Sequence, residues 1–264
     1  FDKMKKYDCL VLGGCSFGVK PFDHDNPRRN SFKQLEGDVE VEYRFSKLLA
    51  DKLNCEEINL CEGGVSNDYI LRVLYNWISE NKPIDKNVIM MVGLTELSRF
   101  EIFSTLSQKY IMTINPTSLS ARVPNIINRF LELTNLTKWI SEREISSYFE
   151  IFYKYFYDEL EQIQRLNRKL DMFQVYCEKN NIDVFFCSTM LTDVKAYNRL
   201  GDIYKNPNMK NFNTKDINYF KFPNDIMSWK EYIQTYDKNY RMEHPNIHDH
   251  EVITNLLFNY IENK

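Results

Sequence analysis

Ser16 and His244 are the residues of this sequence whose types could act together on a substrate. Ser16 stands in the run Gly14-Cys15-Ser16-Phe17-Gly18, directly after the short apolar stretch at 9–12. A serine hydroxyl is a poor nucleophile until a base within hydrogen-bond reach takes its proton. Histidine, with an ordinary pKa near ~6.5, suits that task at neutral pH. His244 opens His244-Pro245-Asn246, more than two hundred residues downstream. Two further turn-like stretches lie between them, Gly63-Gly64-Val65-Ser66-Asn67 and Gly93-Leu94-Thr95-Glu96. Backbone N–H groups at glycine-rich turns can face a developing oxyanion without side-chain obstruction. A capping serine in a tight strand-to-loop turn is the plainer reading of Ser16, and it stays open at this point. No Gly-Lys-Ser/Thr closes the first stretch as a phosphate loop, and Gly13-Gly14 does not fit the dinucleotide spacing.

These stretches need elements to hold them together. Four apolar runs read as core strands: 9–12, 57–60, 88–92 and 184–187. Three lead into glycine-bearing turns, at Gly13-Gly14, Gly63-Gly64 and Gly93, and helical patterns at 43–53 and 67–79 separate them. Strand, helix, strand at this spacing predicts an α/β fold with a parallel sheet of about five strands. In a parallel sheet the Ser16, Gly63 and Gly93 regions emerge on one edge, where such sheets bind their ligands. The whole chain, 1–264, reads as a single domain. A helical insertion at about 120–179 interrupts the rhythm, with helices at 122–140 and 145–179.

The second of those helices is too long for a crossover in a compact sheet, so it is expected to protrude or to pack over the active edge. Tyr148, Phe149, Phe152, Tyr153, Tyr155, Phe156 and Tyr157 surround it, which predicts burial in a lid or a contact with an oligomer or protein partner. Regular periodicity fades between 191 and 239 apart from a short helix at 226–236. A final helix at 249–262 carries an apolar face of Val252, Leu256, Leu257 and Ile261.

A net charge of −3 over 264 residues gives no electrostatic case for a nucleic-acid partner. Aromatics make up 14% of the chain, which suits core packing and, at exposed positions, stacking on sugar rings. No apolar run reaches the ~18 residues of a membrane span, so no membrane partner is expected. Six cysteines without paired close spacing read as reduced, buried side chains. The start, Phe1-Asp2-Lys3-Met4-Lys5-Lys6, shows no signal-peptide core, so a cytoplasmic location is expected, with a virion component as the alternative; the missing initiator Met leads us to expect that upstream sequence is absent. His244, His248 and His250 crowd a seven-residue span, but Pro245 opposes a regular helix through His244 and no glutamate follows it. Neither a metal nor a cofactor is expected.

The four stretches in this order and spacing resemble the SGNH (GDSL-type) hydrolase superfamily. The resemblance implies a three-layer, flavodoxin-like fold and an ester hydrolase, esterase or acetylesterase in type. Ser16 takes the place of the nucleophile, Gly64 that of the oxyanion glycine after the Asn59-Leu60-Cys61-Glu62 lead-in, and His244 that of the general base. The expected substrate is a small-molecule or carbohydrate ester, and the sugar is suggested by the aromatic-rich segments alone.

Two departures shape this expectation. The third loop of the family usually carries Gly-x-Asn-Asp, where this chain has Thr95 and Glu96. A phage-associated subgroup is similar instead: Ser66-Asn67, Arg72 and the series Thr95, Arg99, Glu101 resemble its pattern, so Asn67 or Thr95 stands where the missing donor would come from. Arg72, Arg99 and Glu101 then line the substrate side or form an ion network beneath it. The family also places an aspartate shortly before the histidine, whereas Arg241, Met242 and Glu243 precede His244 here. A Ser–His dyad and a catalytically degenerate binding or structural module both remain open readings.

Overall fold

The computed structural model of the chain describes residues 6–19, 42–81, 85–99, 101–104, 109–112, 141–189, 217–226, 228–236 and 245–264. Six strands lie within them: β1 (Cys9–Gly13), β2 (Glu56–Asn59), β3 (Val88–Leu94), β4 (Glu101–Ser104), β5 (Lys109–Met112) and β6 (Ile182–Ser188). β1 and β3 are buried along their whole length, which is why they read as unbroken apolar runs. The main sheet is parallel, in the order β2-β1-β3-β6. Leu12 lies opposite Asn59 on one side and Met91 on the other, so β1 sits at the centre. Among the described residues a fifth position is marked by one parallel bridge, Phe186 to Tyr219, on the outer side of β6. Of the about five strands expected, the described residues hold four and this bridge. The order is that of the flavodoxin-like doubly wound sheet.

The described residues also hold six α-helices: α1 (Phe45–Leu53), α2 (Asn67–Asn81), α3 (Glu142–Ile151), α4 (Glu159–Lys179), α5 (Trp229–Tyr236) and α6 (Ile247–Glu262). α1 packs on α6 and on β1 and β2; α2 packs on α4 and on β1 and β3. These two pairs supply the helical layers of a three-layer α/β domain. α6 buries His250, Ile253, Thr254, Leu257 and Ile261, so its inner face is rotated from the expected one, and Val252 and Leu256 are only half-buried.

The long helix expected at 145–179 is two helices. A π-helical turn at Phe152–Phe156 ends the first, and Asp158 caps the second by accepting a hydrogen bond from the Glu161 amide at 2.7 Å. α4 is a crossover helix of the sheet, packed on β6 through buried Ile163, Leu166, Leu170, Phe173 and Cys177. The aromatic run before it is not buried all round, since Tyr155 is 67% and Phe156 71% exposed. The expected helix at 122–140 lies outside the described residues. β4 and β5, which no sequence pattern announced, pair antiparallel as a separate hairpin.

Candidate active site

The strand ends dictate where the chemistry-bearing residues go. β1 runs out at Gly13 into a single 3-10 turn, Ser16–Gly18, closed by Gly18 N–H to Cys15 C=O at 2.9 Å and Val19 N–H to Ser16 C=O at 3.2 Å. Phe17 points into the core and meets Trp229 edge-on at 5.5 Å. Cys15 is buried the other way, 3.2 Å from the Thr189 hydroxyl, which donates to Leu94 C=O at 2.7 Å. Ser16, between two buried neighbours, is half-buried at the carboxyl edge of the central strand.

The loop after β2 lies against this turn. Leu60 N–H donates to Leu12 C=O at 2.8 Å and Glu62 N–H to Gly14 C=O at 3.1 Å, which prolongs the parallel pairing past the strands. A Cβ on Gly18 would stand 2.4 Å from the Cys61 sulfur, so the two loops approach as closely as glycine allows. A Cβ on Gly63 would stand 3.8 Å from Ser16 Cβ, and Gly64 follows with φ +79°. The chain therefore passes beside Ser16 at Gly63.

Asn67 begins α2. Its amide clasps the backbone of Thr95 in the loop after β3: Thr95 N–H donates to Oδ1 at 2.9 Å, and Nδ2 donates to Thr95 C=O at 3.1 Å. This brings the second and third loops to one edge, as the parallel sheet requires. The Thr95 side chain is fully buried, and its hydroxyl makes no hydrogen bond among the described residues.

The charged candidates are paired. Arg72 donates to Glu101 through Nη2 at 2.6 Å and Nε at 3.4 Å, with the Glu101 side chain only 5% exposed. The Arg72 guanidinium also stands over the Tyr69 ring at 5.1 Å, and Tyr69 donates its hydroxyl hydrogen to Glu62. Burial, then the Glu62 carboxylate, pushes the Tyr69 phenol up to about 12. Arg99 pairs with Glu96 at 3.0 Å.

His244 lies outside the described residues, as do Arg241, Met242 and Glu243. The segment after His244 is ordered by chemistry legible in the sequence. Asn246 caps α6, accepting from Asp249 N–H at 2.9 Å while its own N–H donates to Asp249 at 2.8 Å. Asp249 also accepts from the Tyr236 hydroxyl at 2.7 Å. His248 faces solvent, whereas His250 is fully buried and its Nδ1 accepts the Phe45 N–H at 2.9 Å. Desolvation holds the His250 pKa down at about 3. His248 and His250 therefore have no common ligand position.

Two contributors named in the sequence motifs carry roles that the motifs did not assign. Glu96, beside Thr95, holds Arg99. Asn59, last residue of β2, bonds both loops that flank Ser16. An asparagine ending a strand just before a glycine turn was the available signal.

No protein-family model matches the chain, and no curated protein sequence does. Solved structures similar to it include the psychrotrophic esterase EstA from Pseudoalteromonas sp., at 11% identity, covering 97% of each chain with a TM-score of 0.45. Another is the acetyl xylan esterase Est2A from the rumen bacterium Butyrivibrio proteoclasticus, at 12% identity over 97% of this chain and 64% of that one, TM-score 0.44. A third is a carbohydrate esterase whose active site displays divergent catalytic and non-catalytic binding functions, at 12% identity over 100% of this chain and 70% of that one, TM-score 0.46.

Proposed function

We propose that the chain is a serine ester hydrolase of the SGNH type, with Ser16 as nucleophile and His244 as general base. The observation that carries this reading is Gly63, next to Gly64, lying against Ser16 at the carboxyl edge of the central strand. A substrate carbonyl set between them would meet the Ser16 oxygen on one side and N–H groups on the other. Ser16 Oγ attacks the acyl carbon as His244 takes its proton, and the oxyanion faces the Ser16 and Gly64 N–H groups. His244 then returns the proton to the departing alcohol, and water releases the acyl group by the same steps.

Asn67 commits one Nδ2 hydrogen to Thr95 C=O and keeps a second to offer. Thr95, buried beneath it, positions the loop. Arg72 and Glu101 brace α2 against β4 from behind the site. The substrate we assign is an ester, an acyl group on a carbohydrate being the class that exposed aromatics would stack.

A fluorophosphonate probe tests the reading. The wild-type chain should be labelled at Ser16 and Ser16→Ala should not; absence of labelling in the wild type counts against the hydrolase.

A second reading, a binding or structural module on the same fold, is favoured by Tyr148, Ile151, Tyr155 and Phe156, which are exposed around α3 and the π-helical turn. It expects a partner to be met there and predicts a stable complex together with an unreactive Ser16.

A further inference from the structure

Asn59 sits where β2 ends, and every polar hydrogen and acceptor it owns reaches a different element. Nδ2 donates to Gly18 C=O at 2.8 Å, the last residue of the turn that carries Ser16. Nδ2 also donates to the Ser46 hydroxyl oxygen at 2.9 Å, in α1. Oδ1 accepts the Cys61 N–H at 2.9 Å, in the loop that leads to Gly63-Gly64. An asparagine amide has two hydrogens to donate, and here both are engaged on separate partners.

The far side of this amide is anchored as well. The Ser46 hydroxyl donates to Glu57, whose side chain is 6% exposed and which also receives Arg44 Nε at 2.7 Å. Ser46 is fully buried. Its neighbour Phe45 is fixed by its own N–H to His250 Nδ1 at 2.9 Å, and the Thr254 hydroxyl, which donates to His250 C=O at 2.7 Å, stands 3.2 Å from Phe45 C=O. The Asn59 amide therefore does not swing freely between the loops. It is held from the sheet edge and from α1, and it holds the loops in turn.

We propose that Asn59 is a positioning residue that locks the Ser16 turn and the Gly63-Gly64 loop in one mutual register. Ser16 and the Gly64 N–H come from different loops, so a nucleophile and an oxyanion donor meet only if these loops keep a fixed offset. One backbone bond, Glu62 N–H to Gly14 C=O at 3.1 Å, already links the two loops, and Gly18 packs on the Cys61 sulfur. The Asn59 amide adds a bond to each loop, to Gly18 C=O and from Cys61 N–H, and ties both to α1 through Ser46. Displacing a reacting group by about 1 Å can slow a reaction roughly 100-fold, so this register is where a residue remote from the substrate acts on turnover. The role assigned here rests on the hydrolase reading of Ser16.

Two measurements on the full chain test it. In the first, Asn59→Ala and the milder Asn59→Ser are assayed on a short-chain p-nitrophenyl ester. The expected result is a kcat lowered roughly 10- to 100-fold with KM within about threefold. Folded variants that keep wild-type kcat overturn the assignment. The second measurement needs no activity: amide hydrogen exchange in wild type and in whichever variant folds. Faster exchange at Cys61 is the direct loss. Faster exchange at Val19, whose N–H bonds Ser16 C=O at 3.2 Å, is the expected transmitted loss. Cys61 speeding up while Val19 does not overturns the coupling. A wild-type chain that neither turns over nor is labelled at Ser16 overturns the hydrolase reading alone, and the exchange pattern then upholds or overturns the coupling by itself.

Discussion

Gly64 adopts φ +79°, and a Cβ built on it meets nothing within 4 Å. Space is therefore not what requires glycine here; the left-handed backbone is. An alanine in that region costs about 1–2 kcal/mol of strain, and the peptide relieves it by rotating its N–H. Gly64→Ala should lower kcat by roughly one to two orders of magnitude, the range for one oxyanion donor being ~100- to 1000-fold at full loss. Its unfolding temperature should fall by only a few degrees. Steady-state kinetics beside a thermal melt check this, and a variant with full kcat shows that the Gly64 N–H takes no part. Residues of this kind were legible in the sequence because their types are unusual where they stand, a serine among three glycines and an asparagine opening a helix. Asn59 was harder to read. Asparagine is common in this chain, and its three bonds exist only after β2, α1 and the Ser16 turn have been brought together.

Among the elements, legibility followed burial on both faces. β1 and β3 are buried throughout, so hydrophobicity alone marked them and only their ends shifted. The edge strand β2 is Glu56-Glu57-Ile58-Asn59, exposed to half-buried, so the strand expected at 57–60 is present but begins and ends one residue earlier. The break between α3 and α4 hid because no glycine or proline marks it; the signal was Asp158 three residues before Glu161, a capping pattern inside an otherwise helical stretch. The β4–β5 hairpin was invisible for a related reason, since its anchor is an ion pair and not a pattern. Arg72 on α2 holds Glu101 on β4, and the carboxylate is nearly buried. Removing the cation leaves that carboxylate to meet a desolvation cost alone, whereas Glu101→Gln keeps an acceptor and adds no charge. Arg72→Ala should destabilise the chain by about 2–3 kcal/mol, and Glu101→Gln by less. Urea unfolding of both variants checks the order; equal or negligible losses show that the pair does not brace the hairpin.

For the whole molecule, the α1/α6 layer is joined to the Ser16 turn through one buried histidine. His250 stands between Phe45, stacked at 5.8 Å, and Trp229, edge-on at 5.2 Å, and Trp229 in turn meets Phe17 at 5.5 Å. Its Nδ1 accepts the Phe45 N–H, so the neutral ring carries its proton on Nε2. Protonating Nδ1 would break that bond and leave a cation among aromatic rings. Burial accordingly lowers its pKa from 6.5 to about 3. In the unfolded chain the imidazole binds a proton below 6.5, while the folded chain refuses it until about 3. The stability this group contributes is complete above pH 6.5 and is lost progressively as pH falls towards 3. At about 1.4 kcal/mol per pH unit the loss reaches roughly 4–5 kcal/mol, a large share of the ~5–15 kcal/mol that holds a typical domain together. Asn at this position can still accept the Phe45 N–H through Oδ1 but does not titrate. His250→Asn should therefore start from a lower stability at pH 7.5, because it fills the site less well, and lose less of it on acidification. Urea midpoints measured from pH 7.5 to pH 4 decide the matter. Curves for wild type and His250→Asn that converge as pH falls bear out the linkage, and curves that stay parallel show that acid unfolding of this molecule runs through other groups.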